Sequence, residues 1–213
     1  MTNLEMGEQL DLELDESGGL WFNDDEKSDW LNKAVDKFVE NVYLTFEVDE
    51  SSREKLRLLV KTSALQSGSS FDLSLITDLF YLLSLTGSFT VNSGGASHLI
   101  TRRIAPQQID DLDDQDPFSK GINADPRYES IGDVLEIKSV TPPVNVYALY
   151  LKRPKVVDIA GTPDDVLDIP IQFHNEIVDF ARDMALENMN SRDMLRQRMK
   201  QEKINLEQKK IDK

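Results

Sequence analysis

The feature that most constrains this chain is a change of hydrophobic period along its length. Apolar residues recur at helical spacing through Trp30, Leu31, Ala34, Val35, Phe38, Val39 and Val42, and again through Phe173, Ile177, Phe180, Ala181, Met184 and Ala185. Between these stretches the pattern drops to alternation, in short runs set apart by Gly, Asn, Asp and Pro. A period near 3.6 buries a helical stripe and a period of 2 buries one face of a strand, so each segment is committed to its own kind of element. The order helix, helix, strands, helix predicts an α+β fold. Two N-terminal helices and a long C-terminal helix make a helical bundle, and a small antiparallel β-domain is inserted between them.

Local signals set the expected boundaries. Ser28-Asp29 offers a cap for a helix over 28–44. Ser51-x-x-Glu54 has the form of a capping box, and Leu56, Leu59, Val60 and Ala64 follow on one face, which predicts a second helix over 52–65. The run from Leu79 to Leu85 suits a buried strand, with helix as the alternative. Ser88–Val91 and His98–Ile104 flank Asn92-Ser93-Gly94-Gly95, a hairpin connection, and Pro106–Leu112 reads as a short turn of helix. Tyr128–Ile131 and Val134–Val140 form a second hairpin across Gly132-Asp133. Val144–Leu151 alternates as a further strand that Lys152-Arg153-Pro154 ends, because proline cannot continue a ladder. The β-insert is therefore expected at about 79–154, within a core of 28–190 closed by a helix over 170–189.

Charge separates the two ends. The formal net charge is −15, yet Met1–Lys27 holds nine acidic residues against Lys27 alone, which predicts an acidic, flexible arm over 1–27. Trp21-Phe22 within it is either a docking anchor or a staple against the first helix. From Ser191 to Lys213 the sign reverses, eight basic residues standing against four acidic ones. Sparse apolar positions at Met194, Leu195, Met199 and Ile204 predict a basic helical tail over 191–213 that one chain cannot fully bury. Helical spacing puts Arg192, Arg196 and Lys200 on one face, with Arg198 and Lys203 beside them. That face is either solvated or binds a partner protein. The net acidity disfavours a nucleic-acid grip, which rests on Lys and Arg neutralising phosphates.

Several kinds of chemistry are absent. With no cysteine, disulfides, thiol catalysis and Cys-held metals are excluded. The phosphate-loop, dinucleotide, nucleophile-elbow and zincin patterns do not occur. His98 and His174 stand alone and read as structural. The densest carboxylate cluster, Asp110-Asp111-x-Asp113-Asp114-x-Asp116, fails as a calcium loop: counted from Asp111, Asp116 takes the glycine position and Ile122 the position of the bidentate Glu. No catalytic residue, cofactor or metal site is expected, and the chain reads as a non-enzyme. No apolar run reaches the length of a membrane helix, and the acidic start is unlike an export signal.

Several short motifs occur in a familiar order: Leu79-Phe80-Tyr81-Leu82-Leu83-Ser84-Leu85, Asp116-Pro117-Phe118-Ser119-Lys120, Pro126-Arg127-Tyr128-Glu129, Tyr150-Leu151-Lys152-Arg153-Pro154, Asp168-Ile169-Pro170 and His174-x-Glu176-Ile177-Val178-x-x-Ala181. In this order they resemble the neck, or head–tail connector, proteins of tailed bacteriophages of the crAss-like type, over about residues 48–195. Gly121 departs from that pattern, which usually has proline there, and Met1–Phe46 has no counterpart in it. The resemblance implies a virion structural protein at the head–tail junction, assembled in the bacterial host cytoplasm. It implies a homo-oligomeric adaptor ring, usually dodecameric, that joins the portal protein to adjacent neck or tail proteins and lets DNA pass through its channel without specific binding. A ring needs two unlike patches per subunit, and an acidic body with a basic tail supplies them. Arg192, Arg196, Arg198, Lys200 and Lys203 are then the candidate portal- or neighbour-binding residues. In the D-P-F turn, Asp116 accepts backbone N–H groups, Pro117 fixes φ, and Phe118 is either a loop anchor or an interface plug. An alternative from another class is an acidic mimic of DNA that occupies a host nucleic-acid-binding protein.

Overall fold

The computed structural model describes residues 1–16, 22–46, 48–90, 96–103, 126–139 and 141–189. They fall into a helical unit, made of Met1–Leu58 and the described chain from Pro154 onward, and a β unit, Leu59–Arg153. The architecture is α+β, with helices N-terminal to the sheet and a long helix after it, as the change of period predicts.

The helical unit departs first at its start. Residues expected to be a flexible arm form helix α1 (Asn3–Glu16), because Met6, Leu10 and Leu14 recur every fourth residue and are fully buried. The acidic residues that suggested disorder occupy its other faces. Thr2 and Glu5 cap the helix reciprocally: the Glu5 N–H donates to Thr2 Oγ1 at 3.2 Å and the Thr2 N–H to Glu5 Oε2 at 2.9 Å. Helix α2 (Asp24–Tyr43) begins four residues before the expected cap. Its N-cap is Asn23, with Glu26 completing the box, and its buried stripe is Leu31, Ala34, Val35, Phe38, Val39 and Val42. Trp21 lies outside the described residues, and Phe22 is half-buried just before the cap.

The second expected helix is cut short. Helix α3 (Glu50–Leu56) is capped by Asp49, not Ser51, and a 3-10 turn, Arg57–Leu59, leads into strand. Strand β1 (Val60–Thr62) takes residues that the helical spacing claimed. Two of its three residues are β-branched, and they pair with the strand made by 145–152. The β unit therefore starts about twenty residues before the expected Leu79. Three N-terminal helices, not two, precede it. The closing helix, α4, begins with a 3-10 turn at Ile171–Phe173 and is α-helical over 174–189, burying Ile177, Val178, Ala181 and Ala185.

In the β unit, β1 is followed by β2 (Gln66–Ser67), β3 (Ser70–Asp72), β4 (Leu79–Thr90), β5 (Ala96–Arg103), β6 (Arg127–Ile131), β7 (Val134–Lys138) and β8 (Asn145–Lys152). The sheet order is β1-β8-β4-β5-β6-β7-β3, with β2 also on β8. All pairings are antiparallel except the short β5–β6 contact, which is parallel. The chain turns at Gly68, φ +91°, so one segment pairs with β8 through β2 and with β7 through β3. Both ends of the sheet are thereby joined by the same stretch of chain, and the sheet closes into a barrel. Its interior is Phe71, Leu85, Phe89, Leu135, Ile137, Val146 and Ala148.

Both expected hairpins pair as strands. The one across Gly132-Asp133 joins Ile131 directly to Val134, with Gly132 at φ +61° and Asp133 not at positive φ, the backbone pattern of a type II′ turn. The other joins β4 and β5 from Leu85↔Thr101 to Thr90↔Ala96. Leu79–Leu85 and Ser88–Val91 were expected as separate runs, but 79–90 is one strand that absorbs register shifts near Phe80 and Leu83. The connection at 91–95 and the expected helical turn at Pro106–Leu112 lie outside the described residues.

Candidate interaction surfaces

The helical unit is held by polar ties that reach inward while its acidic residues face out. Asn3, 1% exposed, donates its side-chain N–H to the Thr162 carbonyl at 2.8 Å. The Asn3 and Leu4 backbone N–H groups donate to the Asp165 and Pro163 carbonyls, which satisfies the start of α1. Lys27, buried on α2, bridges Asp11 of α1 at 2.9 Å and Asp24 at 2.8 Å. Burial opposes its charge, but the bonds to Asp24 and Asp11 outweigh it and hold the ammonium above its usual range. Lys55 of α3 pairs with Glu176 of α4 at 3.0 Å and sits over the rings of Phe38 and Phe173. His174 is fully buried, with Nε2 2.9 Å from the Ile169 carbonyl and Nδ1 3.2 Å from the Met1 amino group. Burial pushes its pKa down, so the ring is held neutral, donating from Nε2.

The remaining charge is strongly one-sided. The described residues of the helical unit hold twenty-three Asp and Glu against eight Lys and Arg, whereas those of the β unit hold five against seven. The acidity of the chain therefore belongs to its helices. Two apolar side chains stand out at the corner between α2 and α3, Leu44 at 80% and Val48 at 90% exposed.

The barrel has two outward walls of different chemistry. On β1, β2, β8, β4 and β5, side chains that alternate away from the interior are Thr62, Ser67, Asn145, Tyr147, Leu149, Ser84, Thr86, Ser88, Thr90, His98 and Ile100. None of these is Asp, Glu, Lys or Arg, although the next position of that row on β5 is Arg102. The rings of His98 and Tyr147 meet at 6.1 Å although β4 lies between their strands, so they lean together across it. Thr86 and Ser88, small and 6–7% exposed, lie on that strand. The two rings meet edge to face, at 63°, and Ile100 beside them is 69% exposed.

The opposite wall, on β6, β7 and β3, is charged along most of its length and apolar at its tip. Arg127 pairs across from Lys138 and Glu129 from Glu136, and Lys138 bridges both carboxylates at 3.2 and 2.9 Å. At the turn Ile131 faces Val134, and the Leu73 N–H donates to the Asp133 carbonyl, which holds the 3-10 turn Leu73–Leu75 beside them. Ile131 and Leu75 are 61% and 69% exposed.

A polar trio lies near the start of β4. Asp78 accepts from Lys61 at 2.8 Å and from the Tyr150 hydroxyl at 2.9 Å, and these bonds, Lys61 first, keep its carboxyl below its usual range. It ties β1 to β8 and presents no free base. One depression on the surface, about 600 Å³, lies beside Glu50, Ser51, Arg53, Glu54 and Arg57, and another, about 410 Å³, beside Trp30, Met184, Glu187 and Asn188.

The residues singled out from sequence fall mainly elsewhere. Asp116, Pro117, Phe118 and the Asp110–Asp116 cluster lie outside the described residues, as do Arg192, Arg196, Arg198, Lys200 and Lys203. His98 and His174 are described, the first in the β unit and the second in the helical unit. Among the described residues no group of three or more His, Asp or Glu is placed to hold a metal, and no helix is long and apolar enough to cross a membrane. The His98–Tyr147 pair and the Leu75–Ile131–Val134 tip carry no signal in any single segment, because a wall of a barrel gathers residues from several strands whose register no one segment reveals. No protein-family model matches the chain, and comparison with curated proteins returns no match.

Proposed function

We propose that this chain is a non-enzymatic subunit of a head–tail connector ring in a tailed phage virion, joining the portal vertex to the tail. The observation that carries this reading is the segregation of charge between two units: a strongly acidic helical unit, a near-neutral β unit, and a C-terminal sequence of opposite sign. A closed ring of identical subunits is made from heterologous contacts, each joining two different patches of the same molecule. Unlike surfaces on one chain supply those patches, and charge complementarity orients them. The basic face of Arg192, Arg196, Arg198, Lys200 and Lys203 would meet an acidic helical surface on a neighbour or on the portal. Acidic walls facing a channel would let DNA slide past, since phosphates gain no counterion release there.

Native mass spectrometry and negative-stain imaging of the full chain, alone and with its cognate portal, test the reading. A closed ring, usually of twelve copies, that stacks on the portal is the expected result. Deleting 191–213 should abolish docking and leave the circular-dichroism spectrum of the two units in place. Undiminished docking of the truncated chain would remove the tail from the mechanism. The acidity of the helical unit also favours a second reading, a DNA-mimicking binder of a host protein. A stable monomer that competes with DNA for such a protein would establish that reading in place of the first.

A further inference from the structure

Three helices of the helical unit bring acidic ends together. Met1 meets His174 and Glu13 meets Arg182, so α1 runs parallel to α4; Phe38 packs on Phe173 and Trp30 lies beside Met184, so α2 runs antiparallel to both. The end of α1, the start of α2 and the end of α4 therefore share one end of the unit. Asp15 and Glu16 close α1, Asp24, Asp25 and Glu26 open α2, and Glu187 stands on α4. Among the described residues the cations at this end are already engaged: Lys27 spans Asp11 and Asp24, and Arg182 spans Glu13, Asp179 and Asp183. Helix α1 has no basic residue in its last turn, where the helix dipole adds negative potential. Beside these carboxylates is the depression of about 410 Å³ along Trp30, Met184, Glu187 and Asn188, with the Trp30 and Met184 side chains half-buried. Lys33 stands over the Trp30 ring at 4.7 Å and is itself paired with Asp29 at 2.6 Å.

We infer that the Trp30 depression and its acidic rim are the docking surface of the chain's own C-terminal segment, residues 190–213. The described chain stops at Met189, next to the lining residue Asn188. Three residues span at most about 11 Å, so Arg192 stays close to the rim however the chain runs on. From Ser191 onward the segment holds eight basic residues against four acidic ones, and Met194, Leu195 and Met199 lie among Arg192, Arg196 and Arg198. It supplies cations to the carboxylates and apolar side chains to the indole, whose ring has large area to bury. Being joined to α4, it reaches this surface at an effective concentration that a separate partner does not match. The docking does not depend on the ring reading. On that reading the portal takes Arg192 and Arg196 only by displacing them from the subunit's own acidic end.

The chain has two tryptophans, so Trp21→Phe leaves Trp30 as its one indole. In that background, deleting 191–213 should red-shift the Trp30 emission and raise its quenching by acrylamide. Arg192→Glu with Arg196→Glu in the full-length chain should do the same. Hydrogen-exchange protection of α2 from Leu31 to Val42 should survive in both, which shows the fold intact. A Trp30 equally accessible in all three proteins would overturn the inference. A second arm identifies the occupant. Asp25→Cys and Arg196→Cys are combined in the full chain, which has no cysteine of its own, and treated with a bismaleimide. The expected product is a link within one molecule, found in the peptide map of the monomer band. Linked multimers in its place would assign the surface to the tail of another copy and overturn the inference, as would no link of either kind. None of these readouts involves the portal, so a chain that fails to dock on it removes the ring reading and leaves this one to stand or fall separately.

Discussion

The helical and β units solve the same problem, burying a core in a highly charged chain, in different ways. In the helical unit each helix spends one stripe on the core and leaves the rest to solvent, and that surplus surface is where the acidic residues collect. In the barrel every strand has one inward and one outward row, so a charge on an outward row stands within about 5 Å of a cross-strand neighbour. Like charges there need a bridge, as Glu129 and Glu136 need Lys138. Among the described residues the net acidity accordingly sits on the helices and not on the sheet.

The largest effect expected from breaking this comparison is in the barrel interior. Phe71 is fully buried on a three-residue strand at the point where the sheet closes. Phe71→Ala should cost about 3–5 kcal/mol, from lost transfer energy and the cavity left behind. Hydrogen exchange read strand by strand should show protection lost through β3 to β8 and retained in α2. Equal loss in both units would mean that they do not unfold separately.

In the helical unit the corresponding weak point is polar. Lys27→Ala removes the cation between α1 and α2, and Asp11 Oδ1 already lacks a partner among the described contacts. Because the Asp11 side chain is about 30% exposed, water recovers part of the loss, and the expected cost is about 1–3 kcal/mol. Urea denaturation measures it. A cost near zero would show that the apolar stripe of α1 suffices to hold it.

His174 predicts how stability varies with pH. Its pKa is lowered in the folded chain by burial, assisted by the nearby Met1 ammonium, and raised only in part by the bond to Ile169. A folded value below the unfolded value, about 6.5, means that the unfolded chain binds the proton more readily. The contribution is therefore complete above about pH 6.5 and is lost as pH falls from there through the folded pKa, with a slope of at most about 1.4 kcal/mol per pH unit. His174→Gln keeps a donor for the Ile169 carbonyl and should flatten that part of the curve. An unchanged slope would place the titration elsewhere.

Much of this fold is legible in the residues themselves, and the failures share a cause. The stripe of α2, the Gly132 turn and the Pro154 stop are local signals, each complete within a dozen residues, and each corresponds to an observed feature. Helix α1 was equally local: Thr2-x-x-Glu5 and the Met6, Leu10, Leu14 stripe are both in the sequence. Acidic content alone points to a flexible arm, but charge on the outer faces of a helix does not oppose it. The end of α3 was not local. Leu59, Val60 and Ala64 fit a helical face, and only the pairing of 60–62 with a strand some ninety residues away decides for β. The meeting of His98 and Tyr147 is harder still, because the register of β8, β4 and β5 must be known before residues so far apart in sequence share a surface.

The smallest predicted effect separates the two walls most directly. On the charged wall Glu129 stands opposite Glu136, an unfavourable pair that Lys138 bridges, and its hydrogen bond to Glu136, followed by that to Glu129, raises the Lys138 pKa. Lys138 is about 38% exposed, so solvent screens the bridge, and Lys138→Ala should cost only about 0.5–1 kcal/mol. The sign of its salt dependence is the informative part. In the native chain added salt weakens an attraction and should lower barrel stability slightly. In the variant it screens the remaining repulsion between two carboxylates and should raise it. Ile100→Ala, on the other wall, changes no charge, and its thermal midpoint should follow the native salt response. If Lys138→Ala and Ile100→Ala shift in parallel with salt, the repulsion between Glu129 and Glu136 has no energetic weight.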